Sequence, residues 1–255
     1  MTRLCVIILT MNEEKNIGAA IANAQQVADD VLLIDSGSTD RTLEIAQAAG
    51  ARAVYHALDG DFAAQRDFAL TQTDADWVLY LDADEQLNDA LQAAVRKAVA
   101  GAPSKQYVLQ RKTVAFGRTY NHGAMRPDYV PRLFLRGTVH WTGKVHERPV
   151  CGLPAVTLPG YVEHYTYESW QAWARKANHY TTIWAEDSYA RGKRVGGSAA
   201  VTHSLAGFVK VFFLRAGFLD GWPGIYLCFC HWFYTMLKYM KLYHLQQKED
   251  RRKGE

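Results

Sequence analysis

The sequence predicts an α/β protein, a mostly parallel sheet with helices on both faces, extended by a C-terminal helical segment. Three observations carry this expectation. Short apolar or β-branched runs recur early in the chain, at Leu4–Leu9, Val31–Ile34, Ala51–Tyr55 and Trp77–Leu81. Stretches of helical periodicity separate them. A long run dense in Phe, Trp and Tyr follows from Gly207.

The first apolar run, LCVIIL, is continuous rather than alternating, the signature of a strand covered on both faces, and the next three runs read the same way. Ile17, Ile21, Ala24 and Ala28 then recur at helical spacing, as do Leu43, Ala46 and Gly50, and residues 62–70. SGSTD, Ser36–Asp40, supplies a glycine turn and capping oxygens for the second helix. The resulting βαβαβαβ order is that of a parallel sheet with crossover helices. From about Lys105 the pattern changes to longer extended runs, read as a mixed or antiparallel extension, followed by a helix over about Glu168–Arg191.

Composition limits the function classes. With 255 residues, 49% of them hydrophobic, the chain buries a sizeable core. A formal charge of +3 without a dominant basic block gives no nucleic-acid footprint. The N-terminal apolar run is too short for a secretory signal. Cys5, Cys151, Cys228 and Cys230 show neither metal spacing nor a disulfide framework, and a cytoplasmic setting is the simplest expectation.

In open α/β sheets ligands bind beyond the carboxyl ends of the strands. Thr10, Asn12 and Glu13 follow the first predicted strand, Asp35 and Ser36 the second, and Asp82 and Asp84 the fourth. Taken singly, Asn12 or Asp35 is as well read as a helix cap. Neither G-x-G-x-x-G nor G-x-x-x-x-G-K-[ST] is present, so the chain lacks the usual dinucleotide and phosphate loops. Asp82 and Asp84 are instead read as ligands for Mg2+ or Mn2+, which would neutralise a departing diphosphate. Glu85 beside them reads as an acidic residue opening the next helix.

ILTMNEEKNI, LLIDSGSTD and LYLDADEQL, in that order, resemble the nucleotide-sugar motifs of glycosyltransferase family 2, inverting enzymes with the Rossmann-like GT-A fold. The resemblance implies nucleoside contacts for Thr10 and Glu13, a uracil or ribose contact for Asp35, and the metal and diphosphate pair for Asp82 and Asp84. It also places a further diphosphate or acceptor contact at Gln86. FAAQRDFAL, PRLFLRG, GKVHERPV and GFLDGWPGIY resemble the subgroup that adds glucose or a similar hexose to the inner core of lipopolysaccharide. The implied division is a nucleotide-sugar-binding half at 1–104, an acceptor-binding half at 105–194 and a membrane-associated region at 195–255. The implied donor is a UDP-sugar and the acceptor a lipopolysaccharide core or lipid-linked saccharide.

An inverting transfer needs a base for the acceptor hydroxyl. Glu147, in the glycine- and proline-flanked GKVHERP, is the candidate, with His146 orienting the acceptor; the alternative for Glu147 is a surface pair with Arg148. Glu186 and Asp187 lie in a helical stretch where exposed charge is expected. Arg66 and Arg132 are read as partners of a diphosphate or phosphorylated acceptor, or else as structural ion-pair residues. At the C-terminus, 17 uncharged residues separate Asp220 from Lys238, short of a spanning helix. Aromatic enrichment with flanking lysines fits helices lying in a membrane interface, and the lipid-linked acceptor that the resemblance implies puts them at the cytoplasmic face of the inner membrane; a homodimer interface or packed helical cap would use the same residues. Transfer to a polyprenyl phosphate, a non-catalytic sugar-nucleotide binder and an aspartyl phosphatase are the competing functions. The last normally carries D-x-D after its first strand.

Overall fold

A computed structural model describes residues 2–101, 104–144 and 147–254 of the chain, with side chains through residue 248. Two compact units are present, Met1–Arg111 with Asp128–Tyr165, and Lys112–Pro127 with Thr166–Glu255. Packing thus divides the chain differently from the functional thirds above: residues 105–111 and 128–165 pack with the first hundred.

In the first unit β1 (Leu4–Thr10), α1 (Ile17–Ala24), β2 (Asp30–Asp35), α2 (Thr42–Ala48), β3 (Arg52–Tyr55), α3 (Phe62–Thr71) and β4 (Trp77–Asp82) form the expected βαβαβαβ series. Along the chain there follow β5 (Glu85–Leu87), α4 (Asp89–Ala100), β6 (Gln106–Ala115), β7 (Arg118–Thr119), β8 (Asp128–Leu135), β9 (Val139–Thr142), β10 (Arg148–Cys151), β11 (Ala155–Thr157) and β12 (Val162–Tyr167), of which β7 and the last residues of β6 and β12 belong to the second unit. The main sheet runs β3-β2-β1-β4-β8-β6-β12-β5. Its first four strands are parallel, while β8 pairs antiparallel to β4 and β6. β9 and β10 make a separate antiparallel hairpin.

Period-two alternation explains why β1 reads as continuously apolar. Leu4, Val6 and Ile8 pack on one face with Ile17 and Ile21 of α1 and Leu91 and Val95 of α4. Cys5 and Ile7 face the other way, toward Ala63 and Ala69 of α3, Phe134 and Trp141. Each fully buried Ile or Leu contributes roughly 1.5–3 kcal/mol, so a doubly covered strand is a strong anchor. β3 departs from expectation: as the sheet edge it has Arg52, Ala53 and Tyr55 exposed, so ARAVY is not covered on both faces. Helix α1 ends four residues before Ala28, which still packs on the core from the following turn. At α2 the capping oxygen is that of Asp40, which accepts from the Thr42 amide at 3.0 Å.

The second unit holds three helices, α5 (Trp170–Ala190), α6 (Ala199–Val209) and α7 (Gly221–Gly254). Ser169 caps α5 by accepting from the Ala172 amide at 3.1 Å, close to the start expected from sequence. Helix α6 runs into a π turn at Lys210–Leu214 and a 3-10 turn at Gly217–Asp220 before α7 begins. Among the described residues no single helix is long and apolar enough to cross a membrane; the bent pair Ala199–Leu214 and Gly217–Lys248, at 66°, passes that test by length and composition together.

Candidate active site

Register brings the site together. Thr10 lies beside Asp35 in the β1–β2 ladder, and Leu9 beside Asp82 in the β1–β4 ladder, so three neighbouring parallel strands deliver their last residues side by side. Asp35 is buried and its carboxylate accepts from the amides of Gly37 and Ser38 at 2.9 Å, shaping the loop after β2. Asn12, at a left-handed φ of 58°, accepts from the Thr39 amide at 2.8 Å, while its own amide donates to the Ser38 hydroxyl. Glu13 accepts from Asn16 and its amide donates to Thr42. These bonds knit the loops after β1 and β2 into one wall.

A network of arginines and carboxylates stands next to it. Arg132 on β8 donates to Asp82 at 2.8 Å and to Glu85 at 3.3 Å. Arg66 on α3 donates to Asp82 and to Glu147, each at 3.2 Å, with its guanidinium 4.7 Å from the centre of the Trp141 ring. Arg111 on β6 bridges Glu85 at 3.3 Å and Asp128 at 2.8 Å. Burial by itself would raise the Asp82 carboxyl, but the charges of Arg132 and Arg66 outweigh it and hold Asp82 below the usual carboxylate range. Glu85 goes the other way, because its burial and the neighbouring Asp82 charge outweigh Arg132 and Arg111. Glu85 is thus corrected: it opens β5, is 1% exposed and accepts from the Asp82 amide at 3.0 Å. Two distant arginines, not a helix dipole, are its partners.

The two aspartates of D-x-D part company. Both oxygens of Asp82 accept from guanidinium groups, whereas Asp84 faces His164 on β12, Oδ2 to Nε2 at 3.2 Å. Burial lowers the His164 pKa, and the hydrogen bond and charge of Asp84 overcome this, so it is raised. Asp84 Oδ2 and His164 Nε2 share a proton here, and a divalent cation such as Mn2+ would have to displace that proton to take the two as ligands. Among the described residues no group of three or more His, Cys, Asp or Glu forms a metal cluster. Gln86, in β5, is paired in the ladder with Glu163.

Two clefts flank Arg66, Asp82 and Glu147. One, of about 370 Å3, is lined by Leu9, Glu13, Phe62, Ala83 and Asp84 together with those three. The other, of about 520 Å3, adds Arg111, Arg132, Trp141 and Arg148. Thr10 Oγ1 and Arg66 Nη1 are buried without a hydrogen-bond partner. Leaving a buried polar group unsatisfied costs about 1–3 kcal/mol, and such atoms at a strand end suit contacts with a ligand.

Sequence reading selected Arg66, Arg132, Asp82 and Glu147 separately, and the structure brings all four together. The partner of Glu147 is Arg66, 81 residues away, rather than the adjacent Arg148. Asp187 pairs with Arg191 one turn on, as an exposed helix residue would. His146 lies outside the described residues. His164, Arg111 and Trp141 were missed; their only sequence signal is a polar or aromatic residue within an extended run, which does not distinguish them from ordinary strand residues.

The sheet thus carries acidic and hydroxyl groups on three adjacent strand ends, with a clamped D-x-D at the last, where open α/β sheets bind their ligands. Residues 5–148 match the sequence profile described as Glycosyl transferase family 2, and the chain belongs to that family of glycosyltransferases. It is 29% identical over 271 residues to an uncharacterized glycosyltransferase of Rickettsia typhi (strain ATCC VR-144 / Wilmington), covering 97% of this chain and 89% of that one. It is also 29% identical over 227 residues to the lipopolysaccharide core biosynthesis glycosyltransferase LpsC of Rhizobium meliloti (strain 1021), covering 86% and 82%. Among solved structures, glucosyl-3-phosphoglycerate synthase of Mycobacterium tuberculosis, crystallised with Mn2+, UDP and glucosyl-3-phosphoglycerate, aligns with 24% identity over 46% of this chain and 45% of that chain; its TM-score is 0.35.

Proposed function

We propose that this chain is an inverting hexosyltransferase that moves glucose from UDP-glucose to the inner core of lipopolysaccharide or a related glycolipid, at the cytoplasmic face of the inner membrane. The observation that carries the reading is the convergence of Asp82, Asp84, Glu147 and Arg66 on one cleft at the carboxyl ends of β1, β2 and β4. The similarity to LpsC supports the acceptor class.

Thr10, Asn12, Glu13 and Asp35 form the nucleoside wall. Asp84, with His164, would hold a divalent cation, and the cation would supply charge neutralisation to the departing diphosphate. Asp82 acts through its arginines: it fixes Arg66 and Arg132 at the cleft, where guanidinium groups match phosphate oxygens bidentately. Arg66 also holds Glu147. A bound diphosphate is a stronger acceptor for that guanidinium, and its capture of Arg66 releases the Glu147 carboxylate to take the proton of the acceptor hydroxyl. The base is therefore withheld until the donor is in place.

Calorimetric titration with UDP-glucose tests this. Binding is expected to depend on Mn2+, to lose that dependence in Asp84→Asn and to weaken in His164→Ala. Glu147→Gln should bind donor normally while turnover falls by about 10²–10⁴, the usual contribution of a general base. Failure of every nucleotide sugar to bind overturns the transferase reading; donor binding with no turnover under any acceptor would favour a sugar-nucleotide binder.

A further inference from the structure

The second unit exposes large apolar side chains along its helices, Val201, Leu205, Tyr226 and Phe229 among them, and its two most exposed, Leu214 and Trp222, stand at one junction. At the junction of α6 and α7, Phe213 is 60% exposed, Leu214 80%, Leu219 60% and Trp222 69%, a contiguous apolar projection rather than scattered residues. The junction is closely packed. Phe212 packs against Phe208 and Phe218, at centroid distances of 5.2 and 5.5 Å. The Gly123 amide donates to the Arg215 carbonyl at 2.9 Å. A Cβ at Gly217 would meet Cys228 Sγ at 2.4 Å, and one at Gly224 would meet the Gly217 carbonyl oxygen at 2.3 Å, so the backbone is packed to the limit that glycine allows. The exposed side chains are thus presented by a closely packed elbow.

Charge decides what covers it. Between Ala199 and Lys248 the chain carries five cations, Lys210, Arg215, Lys238, Lys241 and Lys248, and one acid, Asp220. Asp220 is already committed, accepting from the amides of Asn121 and His122 and pairing with His122 Nδ1 at 2.8 Å. Lys210 and Arg215 flank the projection itself. A second copy of this face would bring like charges together with no carboxylate to answer them, whereas an anionic lipid surface supplies the counter-charge and accepts the apolar side chains. A pair bent by 66° fits either a broken span or a re-entrant loop, and the second of these enters one leaflet and leaves from the same side.

We infer that the α6–α7 elbow is a membrane wedge: Phe213, Leu214, Leu219 and Trp222 enter the acyl boundary of a leaflet containing anionic phospholipid, and Lys210 and Arg215 sit at its headgroups. This goes beyond the donor chemistry of the first unit and stands without it.

Co-sedimentation of the full chain with vesicles tests the wedge. Wild-type protein is expected to bind phosphatidylethanolamine–phosphatidylglycerol vesicles more tightly than phosphatidylcholine vesicles. Phe213→Ser with Leu214→Ser should weaken both by roughly a hundredfold, the loss expected from two large side chains left in water. Lys210→Glu with Arg215→Glu should weaken binding to the anionic vesicles by about tenfold or more and leave the neutral ones little changed. Unchanged melting and unchanged UDP-glucose binding in the same variants show that folding and the donor site are intact. A single charge-neutralising variant, Arg215→Gln, provides a milder check should the double serine variant misfold, and should weaken binding to the anionic vesicles alone. Wild-type protein that ignores vesicles overturns the wedge. So does a dimer in sedimentation velocity that the serine variant splits while vesicle binding is retained.

Discussion

The two units invert each other's chemistry. In the first, apolar strands are covered on both faces and the unusual residues are charges inside: Glu85, Arg66 and Arg132 are 1%, 4% and 6% exposed. In the second, a helical hairpin is held together by aromatic contacts and the unusual residues are apolar side chains outside. Burial of charge and exposure of apolar surface are both unfavourable alone, so each marks a place where something beyond folding is being served. The contrast separates a unit built to position arginines from one built to present a surface.

The largest effect is expected from breaking the buried network. Arg132→Met leaves Asp82 and Glu85 facing each other without their shared cation, and loss of one member of a buried pair costs about 3–5 kcal/mol. Arg191→Ala, which removes an exposed pair with Asp187, should cost less than about 1 kcal/mol. Urea midpoints of the two variants measure the difference; equal shifts would show that the network is not supporting the first unit. The second unit is broken sterically rather than electrostatically. Gly217→Ala forces a methyl against Cys228 Sγ and the Val211 carbonyl, and overpacking of this kind costs about 1–3 kcal/mol. Its signature should be a lower melting temperature with Mn2+-dependent donor binding preserved, since the donor residues lie in the other unit.

The smallest effect is a pH dependence confined to the hairpin. Burial, followed by the charges of Arg215, Lys238 and Lys210, lowers the pKa of His231 below its ordinary 6.5. The folded chain therefore keeps His231 neutral while the unfolded chain binds a proton near that ordinary value. Stability from this source is present above pH 6.5 and is lost as pH falls from there toward the lowered folded value. Melting curves between neutral and mildly acidic pH should show a decline in wild type that His231→Gln flattens; an identical slope in both would remove His231 as the cause.

Much of the proposed donor site was legible in the residues. Thr10, Asp35 and Asp82 each end an apolar run, and in a parallel sheet the ends of adjacent strands are neighbours. Asp35 does not cap a helix: it accepts from Gly37 and Ser38 within the loop after β2, and the oxygen at the start of α2 is that of Asp40. Glu85 was not legible. An acid just after a strand looks like a helix start, and only Arg132 and Arg111, 47 and 26 residues away, place it in the core. His164 escaped notice for the same reason: nothing in YVEHYTY says that β12 will lie antiparallel to β5 and bring an imidazole to Asp84.

What the sequence alone determined was therefore the α/β order, the polar strand ends, the family and the aromatic, cation-flanked C-terminus. These follow from features that repeat within a few residues, because strand and helix impose periods of 2 and 3.6 on any side chains they bury. Tertiary structure decided which arginine holds which carboxylate, that Asp82 and Asp84 have different partners, and that Phe213, Leu214, Leu219 and Trp222 stand exposed around one bend. Those outcomes depend on strand order, register and a glycine-tight elbow, which bring together groups that no local period relates.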